Sequence, residues 1–168
     1  MNIGWAALSA ASHTRLWEHF NELANKVAAA FDAVPAGRLY KSNGFQSLAG
    51  GNVAIVLGNL DAQGGVTYDA ANGGGLKVPI AGRYMVSACV YFSGPVGAAS
   101  FSVVRWRAGV STVVLTCKPA KPDGDDYIAS RSDVLNLAAG DILTLRGSAV
   151  SSAYGTDPSH TSLSVARV

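Results

Sequence analysis

The sequence predicts an all-β, antiparallel sandwich preceded by one N-terminal α-helix, on three observations. Residues 82–92 alternate strictly, with Tyr84, Val86, Ala88, Val90 and Phe92 on one face and Arg83, Met85, Ser87, Cys89 and Tyr91 on the other. That is the period of a strand whose two faces meet unlike surroundings. Short strand-like segments recur through the rest of the chain, separated by glycine-rich turns, as in sandwiches and barrels. Ahead of residue 35 the spacing is helical and strand signals are absent.

The helix is expected over residues 9–34. Ser9 or Ser12 can cap it, a serine oxygen accepting from the free amides of the first turn. Leu16, Phe20, Leu23, Val27, Ala30 and Val34 recur at spacings of 4, 3, 4, 3 and 4, an a/d seam of nearly three heptads. Trp17, Ala24 and Phe31 widen the stripe, while Glu18, Glu22, Asn25 and Lys26 occupy the other faces. Pro35 and Gly37 stop it. A helix of ~22 residues spans ~33 Å and is marginal alone in water, so the stripe needs a partner. That partner is either the chain's own β domain or other copies. Its place ahead of every strand favours association between copies or with a larger assembly, through Leu16, Phe20, Leu23, Val27 and Val34.

After Pro35, strands are expected at 38–45, 53–57, 65–69, 75–79, 82–93, 98–107, 111–118, 127–137, 141–147 and 161–168. Gly50-Gly51-Asn52, Gly64-Gly65, Asn72 to Gly75, Gly94-Pro95, Gly109, Pro122-Asp123-Gly124 and Ala139-Gly140-Asp141 punctuate them. No internal repeat is evident. The organisation is a helical anchor or oligomerisation segment at 1–34, a linker with the first strand at 35–51, and a β domain at 52–168.

Composition narrows the function classes. At 168 residues the chain is long enough for one domain with a core and an appendage. Charged residues make up 14%, against about 25% in typical soluble domains, which suits a surface partly buried against other copies. The net charge is +2 and the densest basic spot is Arg105-Trp106-Arg107 inside a strand, so the continuous basic footprint of a nucleic-acid binder is missing. No stretch approaches ~18 consecutive apolar residues, so no membrane span is expected. Residues 1–5 lack the basic start and apolar run of a signal peptide, and synthesis without signal-directed export is expected. Cys89 and Cys117 lie in apolar strand contexts that suit free buried thiols; a disulfide is the alternative.

Three stretches resemble the C1q/TNF-like jelly roll. GLKVPIAGRY, residues 75–84, is similar to the family's x-F-x-x-P-x-x-G-x-Y element, with Leu76, Pro79, Gly82 and Tyr84 at the matching positions. LNLAAGDILTL, residues 135–145, is similar to its L-x-L-x-x-G-D-x-V-x-L hairpin, with Gly140 and Asp141 at the turn. TSLSVARV, residues 161–168, is similar to its closing strand T-x-F-S-G-x-L-L, with Leu163 at the aromatic position and Val165-Ala166 where glycine is usual. Physical roles fit: Pro79 removes a donor and ends a strand, and Gly82 is expected to allow a tight reversal. The match covers roughly residues 52–168 and implies a C1q/TNF-like jelly roll and a homotrimer.

The N-terminal segment, WAALSAASHTR at 5–15 followed by FNEL at 20–23, resembles the opening of many small bacteriophage virion proteins, although Arg15 and Asn21 fit that pattern only in part. The two likenesses together imply a bacteriophage structural protein, a trimer with its helix towards the particle and its jelly roll outward. A minor tail or tail-fibre protein is the leading expectation, and a capsid decoration or head-fibre protein the runner-up. A secreted C1q-like binding module is a further alternative, which the missing signal peptide disfavours. The expected location is the virion, after synthesis in a bacterial host's cytoplasm. Expected partners are other virion proteins and a host-surface glycan or protein met at loops 94–98, 119–127 and 150–160.

Residues that carry chemistry are sparse, and no enzyme and no cofactor are expected. His13 and His19 stand six apart and do not share a helical face. Asp157, His160 and the serines 151, 152 and 159 share a loop without a nucleophile elbow. Residues 72–77 contain glycines and Lys77 but lack the Ser/Thr and helix start of a P-loop. Asp123, Asp125 and Asp126 form the one acidic cluster. They are a calcium candidate because hard cations take several oxygen ligands, although such a cluster is more often a solvated turn. Tyr91, Trp106, Tyr127 and Tyr154 are candidates for a sugar-stacking surface, with core or intersubunit packing as the commoner role.

Overall fold

The computed structural model describes residues 10–41, 44, 46–48, 51–92, 99–118, 127–149, 153–154 and 161–168. The chain divides into two units, Met1–Ala33 and Val34–Val168. The first contains helix α1 (Ala10–Asp32). The second contains, among the described residues, strands β1 (Ala36–Tyr40), β2 (Gln46–Ser47), β3 (Val53–Ala54), β4 (Asn59–Gln63), β5 (Thr67–Asp69), β6 (Gly75–Lys77), β7 (Gly82–Phe92), β8 (Ala99–Arg107), β9 (Val110–Cys117), β10 (Tyr127–Leu137), β11 (Ile142–Ala149), β12 (Ala153–Tyr154) and β13 (Ser162–Arg167).

Helix α1 stops at Asp32, two residues short of the expected end. Val34 therefore stands outside the helical seam and opens the second unit, where Gln63 Nε2 donates to its carbonyl at 3.4 Å. The reason is local: proline disfavours a helical residue immediately before it. Pro35 is buried, and its carbonyl accepts from the Arg167 amide at 2.9 Å. Ser12, one of the two expected caps, lies inside the helix.

The second unit is an antiparallel sandwich. The first sheet has the order β10-β7-β13-β1-β4 and the second β5-β6-β11-β8-β9, with β3 also pairing β11; β2 and β12 pair separately. The last strand, β13, lies between β7 and β1, with Leu163 opposite both Ala88 and Leu39. Strand β1, grouped by the sequence with a linker, is thus an inner strand of the sheet. Tyr84, Val86, Ala88, Val90 and Phe92 are all buried, so the alternation of β7 points the expected face at the core. Leu39, Leu76, Phe101, Val103, Leu143, Leu145 and Leu163 fill the space between the sheets.

Two chain segments cross between the sheets at one corner. Residues 78–81 carry the chain from β6 to β7, and residues 138–141 carry it from β10 to β11. Their backbones are joined: Val78 N donates to Asp141 O at 3.0 Å and Gly140 N donates to Val78 O at 2.8 Å. Gly140 has φ +83°, a left-handed turn position that favours glycine. Tyr84 Oη donates to Ile80 O at 2.9 Å and so closes the first crossing. Gly82 departs from expectation. It lies at the start of β7 without a left-handed φ, and a Cβ there would stand 2.9 Å from Arg167 Nε. The neighbour is the movable end of an exposed arginine, so neither a reversal nor a fixed close approach demands glycine here.

Asp141 is more than a turn residue. It is 1% exposed, and its carboxylate accepts from Arg107 Nε at 2.7 Å, from Arg107 Nη2 at 2.6 Å and from the Ala138 amide at 2.8 Å. Burial pushes this carboxyl up, but the Arg107 and Ala138 hydrogen bonds and the charges of Arg107 and Arg105 outweigh it and hold the group below its ordinary value. Removing the carboxylate leaves a buried amide unpaired. With Arg107 half exposed, Asp141→Ala is expected to cost about 2 kcal/mol, or roughly 5–8 °C in melting temperature. Because the folded carboxyl binds its proton less readily than the unfolded one, the clamp's stability is complete above the ordinary pKa near 3.8. It drains away as pH falls through the lower, folded value. Melting curves of wild type and variant are therefore expected to converge in acid.

Candidate functional site

Two surfaces carry the candidate assembly residues. On α1, Leu16, Trp17, Phe20 and Leu23 are 60–65% exposed and Val27 is 47% exposed. Trp17 and Phe20 stack, with centroids 6.0 Å apart and planes at 15°. One flank of the stripe is held by local charge: Lys26 Nζ donates to Glu22 Oε1 at 2.6 Å, and His19 Nδ1 lies 3.9 Å from Glu22 Oε2. Glu ahead of Lys at i,i+4 is the stabilising order, but an exposed pair of this kind contributes only about 0.3–0.5 kcal/mol. The first turn has no acidic residue and the last no basic one, so side chains leave the helix dipole uncompensated. The helix therefore relies on its apolar stripe meeting a partner. Leu16, Phe20, Leu23 and Val27 lie together on that stripe, and Val34 does not join them.

The second surface is the outer face of the first sheet. Strand register places Met85 beside Ala166 and Val134, Ser87 beside Ser164 and Ser132, and Cys89 beside Ser162 and Ser130. Ser132 Oγ donates to Ser87 Oγ at 2.8 Å, and Ser164 Oγ donates to Ser87 O at 3.3 Å. Small hydroxyls that satisfy one another leave a flat, charge-poor surface. Its charges are Arg38, 5.7 Å from the Tyr40 ring centroid, Asp61 opposite Arg38 on β4, and Arg83 at the end of β7. Met85 and Ile128 are 40% and 49% exposed on it. Cys89 and Cys117 are both free and partly buried. Burial pushes the Cys89 thiol up, and the charge of Arg38 opposes that shift.

The other candidates separate. Tyr91 stands on β7 of the first sheet and Trp106 on β8 of the second, so they do not form one stacking surface. Trp106 Nε1 donates to Thr144 Oγ1 at 3.1 Å. Arg107, from the densest basic spot, is spent on Asp141. Asp123, Asp125 and Asp126 lie outside the described residues, as do Asp157, His160, the serines 151, 152 and 159, loop 94–98 and most of the loops at 119–127 and 150–160. Residues 5–9 of the phage-like opening lie outside them too, while residues 10–15 form the start of α1. Among the described residues no three His, Cys, Asp or Glu side chains converge as a metal site would require, and no helix is long and apolar enough to cross a membrane.

Leu76, Pro79, Gly82, Tyr84, Gly140, Asp141 and Leu163 are brought together by the corner and by the β13–β7 pairing. Solved structures share the fold of this unit. The Eiger TNF of S. frugiperda is 15% identical over 80% of this chain and 92% of its own, with a TM-score of 0.66. Murine APRIL at pH 8.0 is 17% identical over 80% of this chain and 99% of its own, with a TM-score of 0.63. The fold is a TNF/C1q-like jelly roll. No family model matches the sequence, and no curated protein does. At these identities the likeness carries the fold alone.

An aspartate at an a/d position opposes association of that stripe, and neither Leu23 nor Val27 belongs to the sandwich core cluster. Leu23→Asp or Val27→Asp is expected to abolish self-association in light scattering while the β unit keeps its melting midpoint. Loss of the β transition in these variants would instead assign the stripe to the chain's own domain.

Proposed function

We propose that this chain is a homotrimeric structural protein of a bacteriophage, attached to the particle through its N-terminal segment and displaying the jelly roll. The leading position is a minor tail or tail-fibre protein that can meet a host-surface glycan or protein. The observation that carries the assembly reading is the exposed heptad stripe of α1, Leu16, Phe20, Leu23 and Val27 at 47–63% exposure. Helices with this repeat bury their seam against copies of themselves. The charge-poor outer face of the first sheet supports the same reading, since packing three copies there would desolvate few charges. The phage assignment is supported by the N-terminal resemblance at residues 5–23. A capsid decoration or head-fibre protein is the alternative position, because the same trimer suits a capsid three-fold axis. The proposed role is non-enzymatic: binding and assembly.

Purified protein is expected to show three times the 17.2 kDa chain mass by light scattering at micromolar concentration; a clean monomer would sink the assembly reading. Antibody labelling of particles is expected to mark the tail. Labels on the head would favour the decoration alternative, and unlabelled particles would refute the virion role.

A further inference from the structure

We infer that the outer face of the second sheet holds a small site for an acidic sugar unit, built around Arg146. A cleft of about 190 Å3 lies there, lined among others by Asn52, Ser100, Ser102, Thr116, Arg146 and Ser148. Register explains the grouping. Arg146 stands opposite Ser102 on one side and Ala54 on the other; Ser148 stands opposite Ser100, and Thr116 opposite Ser102. Residues opposite one another, and residues two apart on a strand, share a face. One guanidinium and four hydroxyls therefore open on the same side of three adjacent strands.

The guanidinium is held in place and short of acceptors. Arg146 Nη1 donates to Asn52 O at 3.0 Å, and Arg146 Cζ lies 5.9 Å from the Trp106 ring centroid. Its Nε is buried without a hydrogen-bond partner among the described residues. The ion pairs among those residues are Glu22 with His19 and Lys26, and Asp141 with Arg107; none of them serves Arg146. A cation partly removed from water and without a carboxylate partner is costly unless an anion balances it. A planar carboxylate suits a guanidinium fork. The flanking hydroxyls donate and accept alternately, which matches the hydroxyls of a sugar ring. The volume lies below the about 300–1,000 Å3 of drug-sized pockets, room for one unit rather than a chain. The cleft is built within a single chain, so the inference does not rest on the trimer or on the virion assignment.

Sodium glucuronate, glucose, acetate and sulfate, titrated into the full chain and followed by amide chemical shifts, test the site. Glucuronate is expected to bind with a Kd of about 1 mM and to move the amides of Ser100, Ser102, Gly147 and Ser148. Glucose is expected to be silent, and acetate and sulfate to bind at least about tenfold more weakly. Arg146→Gln is expected to weaken glucuronate by about tenfold or more. Ser102→Glu places a carboxylate directly opposite Arg146; it is expected to abolish glucuronate binding and raise the melting temperature. This variant decides the matter even if Arg146→Gln fails to fold. Undiminished glucuronate binding by Ser102→Glu, equal affinity for acetate and glucuronate, or no shift with glucuronate at about 10 mM would each overturn the proposal.

Discussion

The sandwich depends on one reciprocal backbone contact, between Val78 on one sheet-crossing turn and Gly140-Asp141 on the other. A crossing turn decides which residue of the next strand first enters the sheet. A slip of one residue there would turn every side chain of that strand to the wrong face. Here two crossings hold each other. Val78 donates to Asp141 and accepts from Gly140, so β6, β7, β10 and β11 receive their registers together. The Asp141 carboxylate then ties this corner to the end of β8 through Arg107. The buried charge is affordable because Asp141 is fully engaged, with two guanidinium bonds and one amide bond.

This corner was half legible in the sequence. Pro79, Tyr84 and Gly140-Asp141 stand at recognisable spacings, and the alternation of β7 set the core face correctly. The partner of Asp141 was not legible, because Arg107 lies 34 residues away and only strand pairing brings it near. Gly82 was noticed for the wrong reason: it follows a proline like a turn glycine, but it is the first residue of β7 and has no left-handed φ. Strand β4, Asn59–Gln63, was missed because an edge strand with most residues exposed has no apolar alternation to display. Val34 continued the heptad count only because the count ignored what Pro35 does to the residue before it.

The same limit explains which surfaces could be foreseen. The helix stripe is a local pattern, and its residues were named from spacing alone. The outer face of the first sheet was visible along β7 as Met85, Ser87 and Cys89, but its breadth comes from β13 and β10, whose serines fall beside them through register. The Arg146 cleft was missed altogether. Ser100, Ser102, Arg146 and Ser148 each look like ordinary outward residues of a half-buried strand. Their convergence is a property of the β8–β11 pairing and of Asn52 reached across to Arg146, and neither is written in any one segment.

The two outer faces of the sandwich are unlike, and the difference bears on what each can do. At the centre of the first sheet the hydroxyls of Ser132, Ser87 and Ser164 pair with one another and with backbone, whereas at its edge Asn59 Nδ2 is buried without a partner among the described residues. Covering that face with a flat, apolar partner would strand few donors. On the second sheet, Arg146 keeps a buried nitrogen unmet beside hydroxyls that line an open cleft. An apolar partner would desolvate the guanidinium and these hydroxyls without pairing them, whereas an oxygen-rich ligand would pair them. Polar pairing, more than hydrophobicity, therefore separates the serine ladder along β7, suited to packing against another copy, from the Arg146 cleft, suited to a hydrophilic ligand. The fold makes the separation possible because strand alternation lets each sheet decorate its outer side independently of the core it shares.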